Sequence, residues 1–289
     1  MTTRHRPTRW AAALLLAAGH PATAQDLRTI TTARQLRGEE RLDLRVEFAA
    51  GRLRLAPAAE DVLYRIRLTY DDERFEPVHT FDARSARAEV GVRGRKQVDW
   101  ERREGFPGQA LDVYVGSGVP VSLDLVVGAG KADIDLGGLE LTRVTVAAGA
   151  TETTIRWAAP NSAECSELVF KVGAAKFVAE GLGNAGCRRI DVMGGAGEIV
   201  LDFSGEWERD VAVDLRVALA SLDLRFPRDV GISIESRRLL AALEQPGFAN
   251  RDGVLYSKNW ESAEKRVRVT AHATLGGLSV RWIAAPGSR

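Results

Sequence analysis

Sulfur and imidazole are scarce in this chain. Its 289 residues include two cysteines, two methionines and four histidines. His5 and His20 fall in the segment before Gln25, leaving His79 and His272 for the body of the protein. These two lie far apart and form no His-x-x-x-His or comparable spacing, so a histidine-based metal centre finds no support. A charge excess is missing too: 40 Lys+Arg face 39 Asp+Glu. Nucleic acid as the main partner requires a strongly basic face, and this balance argues against it. No apolar run approaches the ~20 residues of a membrane-spanning helix, so no transmembrane anchor is expected. There is no Gly-x-Ser-x-Gly elbow. Gly128-Ala129-Gly130-Lys131 lacks the rest of a phosphate-loop pattern and leads into a strand, where a phosphate loop leads into a helix.

What is present is the composition of a folded soluble protein, 45% hydrophobic and 27% charged, with 28 glycines spread through apolar segments. The segment before Gln25 differs from the rest. Arg4, Arg6 and Arg9 form a basic start, Trp10 to Ala18 a short apolar run, and Ala22-Thr23-Ala24 a small-x-small cleavage motif. This is the secretory pattern, and it implies a cleaved signal peptide and a periplasmic or extracellular destination. Removing three arginines and no acids leaves the mature chain near a net charge of −2.

An internal repeat dominates the mature chain. Gly128 to Leu136 (GAGKADIDL), Gly149 to Trp157 (GATETTIRW), Gly173 to Gly181 (GAAKFVAEG) and Gly195 to Phe203 (GAGEIVLDF) align without gaps. Their starts recur at nearly even intervals, a period in the range of stacked repeat architectures. A degenerate copy, Ala218 to Phe226 (ALASLDLRF), follows at the same interval. Weaker echoes are Phe48 to Leu55 (FAAGRLRL) and Thr274 to Trp282 (TLGGLSVRW). Within each unit apolar and polar residues alternate with period two, as in Val121, Leu123 and Leu125 against Ser122 and Asp124. That alternation predicts strands with one face in a core and the other in water. Each unit therefore reads as strand, small-residue corner, strand and turn. One such unit cannot bury its apolar face alone, so the expected solution is a stack of coils sharing a core.

The fold class read from these features is all-β: a short single-domain β-solenoid of ~20–24-residue repeats with strand-rich terminal caps. The expected division is 1–24 signal peptide, 25–115 N-terminal strand-rich cap, 116–231 β-solenoid repeats and 232–289 C-terminal cap and closing strands. Residues 71–109, polar and Arg-rich, read as a mobile loop with one strand near Ala88 to Val92. Ser236 to Leu243 (SRRLLAAL) reads as the one short helix. Cys165 and Cys187 are separated by nearly one repeat. On neighbouring coils they would come within disulfide range, and an oxidising compartment favours the bridge; the alternative is a pair of buried thiols.

The run from Val119 to Trp157 resembles the toast-rack domains of bacterial envelope proteins, found in adhesin-like proteins and in the C-terminal part of the LiaF family. Val119-Pro120-Val121-Ser122-Leu123, the Gly128-Ala129-Gly130 corner and Ile134-Asp135-Leu136-Gly137-Gly138-Leu139 carry the resemblance. Gly253-Val254-Leu255-Tyr256-Ser257 and the Leu275-to-Val280 strand extend it toward the C-terminus. These motifs are structural, so the resemblance implies a fold more than an activity. LiaF-like proteins carry transmembrane helices before this domain, whereas this chain carries only a leader.

Chemistry has two candidate locations. Asp133, Asp135, Asp202, Asp214 and Asp223 occupy outward strand positions. Two carboxylates ~5–9 Å apart would suit a glycan-cleaving enzyme on a β-helical scaffold; the bland alternative is a solvated strand face. Arg93, Arg95, Lys96, Arg102 and Arg103 form a basic cluster with Arg84, Arg87 and Trp100, diluted by Glu89, Asp99, Glu101 and Glu104. They read as a polyanion contact or as a charged edge that blocks aggregation. Trp157, Trp207 and Trp282 read as finishing the hydrophobic edges of coils. The combined reading is a secreted or periplasmic, non-enzymatic envelope protein without a cofactor, an adhesin-like interaction or structural module. Its expected partner class is an envelope protein or a cell-surface polymer, and oligomeric state is not legible. N-terminal sequencing of exported protein is expected to begin Gln25-Asp26-Leu27; retention of Met1 would refute cleavage.

Overall fold

The computed structural model describes residues 27–95, 106, 108–237, 247–273 and 277–284. The expected leader lies outside them. Six strands come first: β1 (Leu27–Gln35), β2 (Leu42–Ala58), β3 (Val62–Asp71), β4 (Phe75–Asp82), β5 (Arg87–Gly94) and β6 (Ala110–Gly116). Five long strands follow: β7 (Val121–Asp135), β8 (Leu141–Arg156), β9 (Cys165–Glu180), β10 (Cys187–Asp202) and β11 (Val211–Pro227). The last are β12 (Gly231–Arg237), β13 (Phe248–Arg251), β14 (Val254–Ser257), β15 (Arg266–Ala273) and β16 (Leu278–Ile283). All belong to one sheet.

The long strands stack in parallel, in the register that the repeat predicts. Ser122 pairs with Arg143, Val144 with Leu168, Leu168 with Ile190, and Ile190 with Val213. The protein is a β-solenoid. Both weak echoes pair as coils over their described residues. β2 lies beside β7 with Leu44 opposite Leu123 and Gly51 opposite Gly130, so Phe48 to Leu55 sits in register across a long insertion. At the other end Val213 faces Val269 and Leu222 faces Leu278, which places β15 and β16 on the two halves of β11. β5 and β6 pair with the two halves of β2 in the same way.

Alternation builds the core, and the corner reverses it. Val121, Leu123, Leu125 and Val127 point inward before the corner; Ala132, Ile134 and Leu136 point inward after it. Odd positions give way to even ones. β2 inverts from Leu44, Val46 and Phe48 to Leu53 and Leu55, and β9 from Leu168 and Phe170 to Phe177 and Ala179. One extra residue at the bend, acting as a bulge does, turns the second half-strand so that its apolar set also faces inward. Gly130 and Gly197 sit there with φ of 112° and 115°. A Cβ on Gly130 would strike the Gly51 carbonyl oxygen, and one on Gly197 that of Ala175.

Two local readings change. Residues 75–94, expected as part of a mobile loop with one strand near Ala88 to Val92, form the antiparallel β4–β5 hairpin, in which β5 is that strand and β4 is its unforeseen partner. Its alternation is masked in the sequence by Pro77 and Gly91, yet Phe75, Ala88, Val90 and Val92 are fully buried. Pro77 is tolerated because β4 pairs only with β5, at a sheet edge. Gly91 leaves room for the Glu47 backbone. The expected Ser236–Leu243 helix is overturned at its start: Ser236 and Arg237 continue β12, whose residues pair with β15 up to Arg237–His272. Residues 238–246 lie outside the described chain.

Gly130→Ala and Gly197→Ala are each expected to cost about 1–3 kcal/mol in denaturant unfolding, because strained backbone and a carbonyl collision combine. Gly138→Ala, with φ of 74° and open space around it, is expected to cost about 1 kcal/mol. Equal losses at all three positions would refute the close approach at the corners.

Candidate interaction surface

Parallel in-register stacking sets equivalent residues of successive coils about 4.8 Å apart, so the outward faces are ladders of like position. Charges along them are matched. The fourth residue of the four close repeats reads Lys131, Glu152, Lys176 and Glu198. Lys131 meets Glu152 at 3.5 Å and Lys176 meets Glu198 at 4.0 Å. This alternation is visible in the aligned repeats as soon as neighbouring coils are read as neighbours in space. Elsewhere Arg143 pairs with Glu167, and Arg156 reaches Asp133 at 2.8 Å and Glu180 at 3.9 Å. Arg45 spans three coils, touching Asp124 on one side and Glu89 on the other. Most of these pairs are half exposed, so each contributes only about 0–1 kcal/mol; their main effect is to leave few uncompensated charges on the faces.

The five candidate aspartates are structural partners. Asp133 accepts from Arg156. Asp135 and Asp202 accept the backbone N–H of Gly137 and Ser204, at 3.0 and 2.8 Å, at the turns that end their strands. Asp214 holds Arg216 at 3.0 Å. Asp223 is only 7% exposed and is clamped by Arg225 and Arg281, both at 2.9 Å. Asp133 and Asp223 share one row but are separated by β8, β9 and β10, roughly 19 Å at the coil spacing. Asp135 and Asp202 are separated by Arg156 and Glu180, roughly 14 Å. Neither pair fits the ~5–9.5 Å between paired glycosidase carboxylates. Asp214 does face a carboxylate, Asp191 on β10, but each is tied to its own arginine, Asp191 to Arg189 at 2.7 Å.

Of the basic cluster, Arg93 is held between Glu47 and Glu89 and kept in its charged form chiefly by the Glu47 hydrogen bond. Arg95 donates from Nε to the Asp72 carbonyl at 3.2 Å. Lys96, Arg102, Arg103 and Trp100 lie outside the described residues. His79 shares a hydrogen bond of 3.3 Å with the Tyr64 hydroxyl on the β4 side of the stack, whereas His272 lies on β15 at the other end. Trp157 is buried against Phe170, Trp207 stacks on Phe203, and Trp282 stacks on Phe248.

Cys165 and Cys187 open β9 and β10, directly opposite in the ladder, and form a disulfide. Beside it the return turns carry a device that sequence reasoning missed. Asn161, 4% exposed, accepts the Leu141 N–H at 2.7 Å and donates to the carbonyls of Leu141 and Ala185 at 2.9 and 3.2 Å. One amide thus ties three consecutive turns. Asn184 repeats the role, donating to Trp157 O at 2.9 Å and accepting from Glu206 N at 2.7 Å. Both Asn residues stand in turn-like surroundings where asparagine is common, so nothing local marks them.

Cys165→Ser with Cys187→Ser is expected to cost about 3 kcal/mol in denaturant unfolding, from the loop that the bridge closes across a sequence separation of 22. Intact mass after alkylation without reductant is expected to show no modified thiol in exported protein. Asn161→Ala is expected to cost about 2–3 kcal/mol, since it leaves buried Leu141 groups unpaired; a loss below ~0.5 kcal/mol would show that water replaces the amide.

A comparison with curated proteins yields no match. Among solved structures, a candidate cell adhesion protein from Clostridium sporogenes is similar at 13% identity and a TM-score of 0.46, covering 89% of this chain and 100% of its own. A candidate adhesin from Bacteroides fragilis is similar at 9% identity and a TM-score of 0.33, covering 89% of this chain and 97% of its own. A candidate lipid binding protein from Parabacteroides distasonis has 8% identity and a TM-score of 0.31, covering 88% and 96%. The family described as the N-terminal domain of toast_rack, DUF2154, matches residues 22–177, more than half of the sequence and every coil from β2 to the corner of β9. The chain belongs to that toast-rack family.

Proposed function

We propose that this protein is a non-enzymatic interaction module of the bacterial cell envelope, working outside the cytoplasm. The observation that carries the reading is the state of the outward carboxylates. Those that an acid–base pair would draw on are committed to arginines or turn N–H groups, including Asp133 and Asp135, which alternate on one face of β7. What the coils offer is an extended, regular and charge-matched pair of faces, suited to contact over an area.

The secretory leader and the Cys165–Cys187 disulfide favour an oxidising compartment. No described helix is long and apolar enough to cross a membrane. A polyanion contact through Arg93, Arg95, Lys96, Arg102 and Arg103 belongs to the same proposal, with Arg93 engaging a ligand only by leaving Glu47 and Glu89.

The test is to incubate exported protein with a panel of acidic and neutral envelope polysaccharides, measuring both retention and polymer length. Saturable retention with unchanged polymer length is expected. Release of reducing ends that disappears in Asp133→Asn or Asp202→Asn would replace this reading with the glycan-cleaving one.

A further inference from the structure

Guanidinium groups without a partner are unevenly distributed. From Arg143 onward, every arginine whose side chain is described meets a carboxylate, a carbonyl or an aromatic ring. The arginines lacking one among the described residues all come earlier in the chain. Three of them, Arg37, Arg41 and Arg84, line one depression of about 610 Å³ between the β1–β2 connection and the β4–β5 turn.

Both rims are tied down by carboxylates of their own. Glu39 accepts from Arg34 Nε and Nη2 at 3.2 and 3.0 Å and from the Arg37 N–H at 2.7 Å. Arg34 in turn lies 3.8 Å over the Phe81 ring, joining one rim to the other hairpin. Asp82 accepts from the Ser85 hydroxyl at 2.7 Å and the Arg84 N–H at 3.0 Å. The Ala86 carbonyl accepts the Asp43 N–H at 3.0 Å and seats the turn on the start of β2, with Ala86 at a left-handed φ of 54°. These donors hold both carboxyls below their usual range, the Arg37 N–H chiefly for Glu39 and the Ser85 hydroxyl chiefly for Asp82. Both are therefore ionised but already satisfied. Glu40 is the one lining carboxylate left uncommitted among the described residues, so the depression is cationic.

Its lining says what kind of anion fits. The apolar contribution is two alanine methyls, with no aromatic or large aliphatic side chain. A protein partner would find no anchor pocket, and an acyl chain no greasy wall. The volume lies in the range of small-ligand clefts. Planar guanidinium groups match carboxylate and phosphate oxygens in pairs.

We propose that this depression is an oxyanion subsite for an acidic polysaccharide, in which Arg37, Arg41 and Arg84 grip a carboxylate or phosphate carried on a sugar unit. The proposal rests on the reading of the protein as an envelope interaction module and names the polymer class.

The test is calorimetric titration of the full exported protein with polygalacturonate, with a phosphodiester-linked glycan, with neutral dextran and with inorganic phosphate. At least one acidic polymer is expected to bind and dextran is not; the stronger acidic polymer identifies the oxyanion. The triple variant Arg37→Ala/Arg41→Ala/Arg84→Ala is expected to lose at least about tenfold in affinity, with an unchanged melting temperature. Arg52→Ala/Arg54→Ala, which removes two unpartnered guanidinium groups of β2 outside the depression, is expected to stay within about twofold. Glu40→Gln is expected to tighten binding. Unchanged affinity in the triple variant, an equal loss in the Arg52/Arg54 variant, or binding of inorganic phosphate without either polymer would each overturn the subsite. Binding of the native protein to whole envelopes without binding to either acidic polymer would sink the subsite and leave the module standing, whereas polymer shortening would sink the module itself.

Discussion

Everything in this fold depends on a parallel backbone ladder that must stay in register across two half-strands at once. A coil in such a stack meets its neighbours with the backbone N–H and C=O groups of both half-strands, before the corner and after it. A shift of one residue in either half would turn its apolar set outward. The repeat spacing varies slightly from coil to coil, yet the register is kept because the variation falls in the return turns and in one shift between Val121 and Ser122 at the start of β7. Asn161 and Asn184 lie in those turns, and the disulfide joins the first residues of β9 and β10 beside them. They secure the part of the coil that the ladder secures least.

Apolar burial then supplies the driving force. A coil such as β7 contributes Val121, Leu123, Leu125, Val127, Ile134 and Leu136 to the core, at an upper limit of about 1.5–3 kcal/mol per side chain. The gain is cooperative because each face is buried only when the next coil is in place. The two ends therefore differ from the middle. One is covered by β3 and β1 beside β6 and by the β4–β5 hairpin; the other by β12, β14 and β13 beside β15. Antiparallel strands dominate these covers, and Pro77 on the outermost hairpin strand discourages further pairing.

Charge follows from the same geometry. Ladder stacking forces equivalent side chains together, so a repeat that copied its charges faithfully would line up like with like. The alternation Lys131, Glu152, Lys176, Glu198 avoids that, and the arginine–carboxylate pairs do the same on other rows. Once the central coils have neutralised themselves, the guanidinium groups left over gather near the N-terminal cover, where a connection and a hairpin turn interrupt the ladder. The binding surface proposed for this protein is in that sense a by-product of regular stacking.

Period-two alternation, the Gly-Ala-Gly corners and the spacing of the copies were enough to derive a β-solenoid and to place Cys165 opposite Cys187, because these features recur at fixed intervals and each interval is one turn of the coil. The strand near Ala88 to Val92 was legible, but its partner β4 was hidden by Pro77, which looks like a loop residue until the edge position explains it. The depression formed by Arg37, Arg41 and Arg84 was out of reach for another reason. Its residues come from segments more than forty positions apart, and whether a guanidinium is free depends on which carboxylates the fold has already taken. Local pattern thus determined the coil and its repetition, since both are properties of neighbouring residues. The parity inversion at each corner, the asparagine ties and the distribution of unpaired charge were decided only by tertiary structure, since each depends on what the adjacent coil or loop places within a few ångströms.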